Sequence, residues 1–409
     1  MSKFIRFRLS SMMFMEFFIW GSWFVTLGTF LNANLQASGS ASASVFGTQS
    51  WGAIIAPFIV GLIADRYFNA EKILALLHLL GGVLMYMMYS TQHIDQFYPY
   101  VLAYMILFMP TLSLVNSIAF NQMANPEREF AKIRVWGTIG WIVAGIMISF
   151  VFHWDSGAGI ANGFLKYTFL MASAGSFLLA AFSLILPKTP PKISSGEKVN
   201  LGELLGIDAF KMLKDKNFLV FFVSAIMICI PLAFYYQNAG LFLSSVGLGN
   251  PTGKMAIGQA SEALLLLAIP YFFSRFGFKK TIMLGMLAWV LRYLLFAYGN
   301  GDSLGFMLIT GIALHGICYD FFFVSGQIYT NSKAGEKFKS SAQGLITLAT
   351  YGIGMLIGFE VAGLVTDHYQ LIAGIDWKAV WLIPSAIAAI VLIIFGIFFN
   401  EKINKPTIK

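Results

Sequence analysis

Twelve apolar stretches run along this chain, near positions 10–33, 44–65, 72–91, 98–122, 129–153, 164–187, 217–246, 253–274, 280–299, 303–330, 340–366 and 378–400. An α-helix needs about 20 apolar residues to cross a hydrocarbon layer roughly 30 Å thick, and each stretch is near that length. None keeps the period-two alternation that lipid-facing β-strands would show. The pattern predicts an all-α integral membrane protein with twelve transmembrane helices. One long polar connection, Lys188 to Lys216, opens with Lys188-Thr189-Pro190-Pro191-Lys192 and divides the runs six and six. The expected organisation is a six-helix bundle over 1–187, a cytoplasmic linker over 188–216 and a second six-helix bundle over 217–409. Within the linker, Leu201, Leu204, Leu205 and Ala209 recur at helical spacing, which predicts a short helix lying on the membrane face.

Composition agrees with this class. The chain is 58% hydrophobic and 11% charged, against roughly 45–50% and 25% in soluble domains. Of the 27 basic residues, 22 fall on one side of the predicted topology, among them Lys3, Arg6, Arg8, Lys72, Arg275, Lys279 and Lys280. Only Lys166, Lys254 and Lys378 fall on the other, so the positive-inside rule places both termini in the cytoplasm. The net charge of +8 follows from this bias and from attraction to anionic lipid, and requires no nucleic acid. The first run, Leu9 to Leu31, exceeds the 7–15 residue core of a signal peptide and predicts a retained helix. Cys229 and Cys318 lie in apolar stretches as packed small residues, with no disulfide framework, metal-ligand spacing or implied cofactor.

Several polar side chains sit inside the apolar runs. A charge held in a bilayer costs from about 2.5 to more than 10 kcal/mol, so such residues are usually kept for function. Asn125-Pro126 reads as a cap and first helical turn, which puts Arg134 about 12 Å into the fifth helix. Arg134, Thr138 and Trp141 then form one stripe at i, i+4 and i+7, suited to a polar ligand with a ring. Gln259 and Glu262 share a face of the eighth helix, with Glu262 about 16 Å deep. His315, Tyr319 and Asp320 cluster on the tenth. Arg292 is expected to be structural and to neutralise Asp320. Glu16 and Glu360 are further acids among apolar neighbours. A buried carboxylate can take a proton near neutral pH and release it when its surroundings change. Glu262, with Gln259 beside it, is the first expectation for coupling a proton to transport; Glu16 is the second, and Asp320 the third. For each of these residues a satisfied interhelical hydrogen bond or ion pair is the alternative.

A faint repeat about 208 residues apart links the halves. Gly61-Leu62-Ile63-Ala64-Asp65-Arg66 follows the second run, and Ser274-Arg275-Phe276-Gly277-Phe278-Lys279-Lys280 follows the eighth. Both resemble the loop motif of the major facilitator superfamily, which implies that Asp65, Arg66 and Arg275 are gating charges at the cytoplasmic ends. Ordinary basic topology anchors are the other reading.

The chain resembles the nucleoside:proton symporter family of that superfamily almost end to end. The resemblance rests on Trp20-Gly21-Ser22-Trp23 and Met109-Pro110-Thr111-Leu112, on Arg134 through Gly140, and on Ser261-Glu262. It continues through Ala288-Trp289, Leu291-Arg292, Asp320-Phe321-Phe322, Ser341-Ala342-Gln343-Gly344 and Asp376-Trp377. It implies proton-coupled nucleoside uptake by alternating access in the inner membrane, and a monomer whose partners are a nucleoside, a proton and the lipid bilayer. Substrate contacts are implied at Arg134, Thr138, Trp141, Gln259, Glu262, His315 and Tyr319. Where the family pattern has amides on the seventh helix, this chain has Ala233 and Tyr236, with Gln237 and Asn238 placed to substitute. Glu16 also replaces an amide, which leaves base preference and the proton route open. A sugar or another small neutral solute on the same scaffold is the alternative cargo. A channel or receptor is a third possibility, and no catalytic set supports an enzyme.

Overall fold

The computed structural model describes residues 2–59, 67–123, 126–191 and 207–400. The chain divides into two compact units. Unit 1 comprises Met1–Ala37, Ser44–Asn200 and Asn250–Ala256; unit 2 comprises Ser38–Ala43, Leu201–Gly249 and Ile257–Lys409.

Unit 1 is built from α1 (Lys3–Gly21), α2 (Leu27–Leu35), most of α3 (Gly39–Ile59), α4 (Ala70–Ser90), α5 (Ile94–Asn121), α6 (Pro126–Ile146), a short α7 (Gly157–Ala161) and α8 (Tyr167–Ser183). Ser2 caps α1 by accepting from the Ile5 amide at 3.2 Å, a standard way to satisfy a first-turn donor. α1 packs on α6 and α8, and α4 packs on α5 and α8. Their shared core is aromatic: Trp23 meets Tyr104 edge to face at 5.6 Å, and Phe169 meets Phe30 at 4.8 Å, geometries that the ring quadrupoles favour.

Unit 2 contains α9 (Lys216–Ser245), the larger part of α10 (Pro251–Leu266), α11 (Ile269–Tyr298), α12 (Gly305–Ala313), α13 (His315–Tyr319), α14 (Ser325–Thr347), α15 (Met355–His368) and α16 (Trp377–Phe398). A two-stranded antiparallel turn, β1 (Gln370–Leu371) with β2 (Gly374–Ile375), joins the last two helices. α9 packs on α15 and α16, and α11 on α16. Trp381 anchors this core, stacked on Tyr293 at 5.4 Å and edge-on to Phe296 at 5.1 Å. π-helical turns at Asp320–Val324 and Leu348–Gly354 widen two of the helical rods. Such turns recur at functional sites because they re-aim side chains within a helix.

Among the described residues, nine helices are long and apolar enough to cross a membrane. The predicted first, second and eighth runs are not among them. The first breaks after Gly21: Ser22 and Thr26 donate hydroxyls to the Phe18 and Trp23 carbonyls, and the chain turns before α2 resumes. The second is rich in glycine, serine and alanine, and its end lies outside the described residues. The eighth ends at Leu266, and α11 begins three residues later. α11 then changes direction at Gly277, where φ is +74°, a conformation that only glycine adopts freely. Asp65, Arg66 and the linker residues Leu201, Leu204 and Leu205 lie outside the described residues; what is described there is a 3₁₀ segment, Ile207–Lys214, with Ala209 buried.

Candidate substrate and proton sites

In unit 2 the polar cluster is assembled by three close approaches. Gly316 lies so near α10 that a Cβ on it would sit 2.6 Å from the Glu262 amide nitrogen and from the Ser261 carbonyl carbon. The Gly316 amide donates to Ser261 Oγ at 3.0 Å, which fixes α13 against α10. His315 is thereby held with Nε2 3.7 Å from Glu262 Oε2, and its other nitrogen, Nδ1, is 3.0 Å from Arg292 Nη1. Arg292 is fully buried and stacks over Tyr235 at 3.6 Å, with Trp289 and Phe296 also within 6 Å. The rings act as a low-polarity seat for the cation.

The expected neutralisation of Asp320 by Arg292 is not present. Arg292 Nη1 meets His315 Nδ1 instead, and Asp320, 1% exposed, keeps Oδ2 without a hydrogen-bond partner. Asp320 begins the π-helical turn, and this local widening accompanies a carboxylate that does not meet the guanidinium.

Tyr319 meets Tyr351 hydroxyl to hydroxyl at 2.5 Å. Tyr319 and Tyr236 lie within electrostatic reach of Glu262. Glu262 itself is 29% exposed, whereas Asp320, the other acid of this cluster, is buried. Gln259 lies one turn earlier on α10 and is half-buried. Gln237 and Asn238 are engaged elsewhere: Gln237 donates to the Gly39 carbonyl at 3.1 Å and Asn238 to Thr366 Oγ1 at 3.0 Å. Arg275 and Glu360 are exposed.

In unit 1, the stripe on α6 packs against α1. Arg134 stacks over Phe17 at 4.0 Å, and Trp141 meets Trp20 edge to face at 5.5 Å; Thr138, between them, is half-buried. Glu16 points the other way, into the bundle. Its Oε2 is 2.8 Å from His78 Nε2 on α4, and its Oε1 is 2.6 Å from Thr111 Oγ1 on α5. Sequence reasoning missed His78 and Tyr351 and gave Thr111 no role. For His78 the available signal was a lone imidazole inside the third apolar run.

A family model described as Nucleoside H+ symporter matches residues 3–404. The chain belongs to that family. It is 40% identical over 408 residues to the putative nucleoside transporter YegT of Escherichia coli, covering 98% of this chain and 95% of the relative. It is 33% identical to the xanthosine permease of the same organism, covering 98% and 96%. A crystal structure of the nucleoside transporter NupG superposes with a TM-score of 0.85 at 28% identity, covering 97% of this chain and all of that one. The chain is thus a multi-pass transporter of the major facilitator superfamily, not an enzyme, and its function is proton-coupled nucleoside uptake.

Proposed function

We propose that transport proceeds by alternating access in the inner membrane of a bacterium. The protein acts as a monomer in the lipid bilayer, with twelve spans arranged as two six-helix halves, 1–187 and 217–409, joined by the 188–216 linker, and with both termini cytoplasmic. The observation that carries the site assignment is the Glu262–His315–Arg292 array beside three tyrosines: a part-exposed carboxylate, a fixed imidazole and stacking rings inside an apolar bundle.

A nucleoside offers an aromatic base and ribose hydroxyls. Tyr236, Tyr319 and Trp141 are suited to stack with the base, and Glu262, Gln259, His315, Thr138 and Arg134 to hydrogen-bond with it or with the ribose. Gln237 and Asn238 join the ligand once released from Gly39 and Thr366. Glu262 carries the coupled proton, with Glu16 and Asp320 as the further acids of the proton route. Asp65, Arg66 and Arg275 serve as gating charges.

The test is labelled uridine uptake into proteoliposomes under an imposed pH gradient, with purine nucleosides, pyrimidine nucleosides and sugars as competitors and a protonophore control. Competition by nucleosides alone, together with a lower uphill accumulation in Glu262→Gln, is the expected result. Competition by sugars, or unchanged accumulation in Glu262→Gln, would overturn the assignment.

A further inference from the structure

A second buried acid has a complete hydrogen-bonding shell that none of the unit 2 chemistry uses. Glu16 is 0% exposed and His78 2%, and they meet at 2.8 Å. Thr111 Oγ1 lies 2.6 Å from Glu16 Oε1 and 2.5 Å from the Phe108 carbonyl. A threonine hydroxyl has one proton to donate and can also accept, whereas a carbonyl oxygen can only accept. Thr111 therefore serves its two neighbours in either of two ways. It donates to an ionised Glu16, or it donates to Phe108 and accepts the proton of a neutral Glu16. His78 donates from Nε2 to Oε2 in both states.

From this geometry we propose that Glu16, held between His78 and Thr111, is a proton-carrying site of unit 1 in its own right, separate from Glu262; the inference rests on the proton-coupled uptake assigned above. One proton binds at Glu16 Oε1 and turns the net charge of the Glu16 carboxyl from −1 to zero, and the Thr111 hydroxyl swings to Phe108. On release the proton departs and the hydroxyl swings back. No bond other than O–H changes.

The surroundings keep this exchange local. From α5, Tyr104 is the titratable neighbour within electrostatic reach of Glu16. From α6 the charge nearest in register is Arg134, stacked over Phe17. α8 brings serines to this bundle, and its only titratable side chain, Tyr167, is at its first residue. On α4, Glu71 and Lys72 belong to the first turn, about two turns before His78; on α1, Arg6 and Arg8 lie at least two turns before Glu16. No charged side chain therefore stands in for His78 as a partner among the described residues.

The experiment measures protons moved per uridine in proteoliposomes, using an internal pH dye and labelled uridine, for wild type and Glu16→Gln. The amide keeps the size and hydrogen bonding of the side chain but cannot take a proton. A ratio lower by one in Glu16→Gln is expected, and because it is read per uridine a slow variant still reports. An unchanged ratio overturns the proposal. If Glu16→Gln moves no uridine, infrared difference spectra of the purified proteins between neutral and acid pH decide it. A protonated-carboxyl band present in wild type and in Glu262→Gln but absent in Glu16→Gln supports the site; identical spectra for wild type and Glu16→Gln overturn it. Failure of the wild type itself to accumulate uridine under the gradient would count against the transport assignment, a distinct outcome from either result for Glu16.

Discussion

Arg292 sets the tautomer of His315. Nη1 lies 3.0 Å from Nδ1, and a guanidinium has donors only, so Nδ1 must be the acceptor and the ring proton belongs on Nε2, facing Glu262. The array is directional: donor from α11, relay on α13, and the α10 carboxylate 3.7 Å beyond it, outside hydrogen-bond length.

A side chain that offers one acceptor and one donor can stand in for the ring. His315→Gln is expected to retain uptake better than His315→Leu, which leaves a buried guanidinium N–H unanswered at a cost of about 1–3 kcal/mol. That cost is read as a lower melting temperature of His315→Leu, and loss of the ring facing Glu262 as a weaker apparent uridine affinity in competition curves. Equal affinities for the two variants would remove the relay from the mechanism.

The approach of α13 to α10 depends on Gly316. Any Cβ there meets Glu262 and Ser261 backbone at 2.6 Å, and neither partner can swing aside as a flexible side chain would. Gly316→Val is expected to lower stability by about 1–3 kcal/mol and to weaken uridine binding by separating His315 from Glu262. Gly344, where an added Cβ meets nothing within 4 Å, is the control; Gly344→Ala should leave thermal melting and uptake close to wild type.

Asp215 gives a pH prediction outside the membrane spans. It caps α9, accepting from the Phe218 amide at 2.8 Å, with Lys333 Nζ 3.4 Å away. The Phe218 hydrogen bond, helped by Lys333, holds its carboxyl below the ordinary value. The folded form therefore binds this proton less readily than the unfolded chain does. The stabilisation is fully present above the unfolded carboxylate value of about 3.9 and disappears as pH falls through the lower folded value. Asp215→Ala should lower the melting temperature at pH 7 by the equivalent of about 1 kcal/mol, and the gap to wild type should close only in strong acid. A gap that closes between pH 5 and 7 would mean a different group is responsible.

The sequence was most legible where one residue type forces one geometry. Gly277 stands where the basic turn was expected and supplies the positive φ of the break in α11. Glu262 and His315 were picked out as intramembrane polar groups, and the structure brings them within 3.7 Å. The pairing of Arg292 was not legible, because periodicity gives the face of a helix but not its rotation against neighbours. The π-helical turn at Asp320 alters that rotation by about one residue's worth. His78 escaped notice for a related reason: Glu16, His78 and Thr111 come from α1, α4 and α5, and no local spacing connects them. The break after Gly21 was also hidden, since Ser22 and Thr26 are small enough to sit unremarked in an apolar run until their hydroxyls are seen on the Phe18 and Trp23 carbonyls.

Asp320 separates stability from coupling. Its carboxyl is 1% exposed, Oδ2 is unpartnered, and no ion pair joins it to Arg292. An ionised carboxylate left so is expensive, and a neutral amide of the same shape removes that cost. Asp320→Asn is therefore expected to match or exceed the wild-type melting temperature in detergent, whereas a carboxylate held by a cation would lose about 3–5 kcal/mol on such a change. If Asp320 also takes part in proton movement, the same stable variant must show a lower proton-to-uridine ratio. A stable variant with the wild-type ratio would restrict Asp320 to a packing role and leave coupling to Glu262 and Glu16.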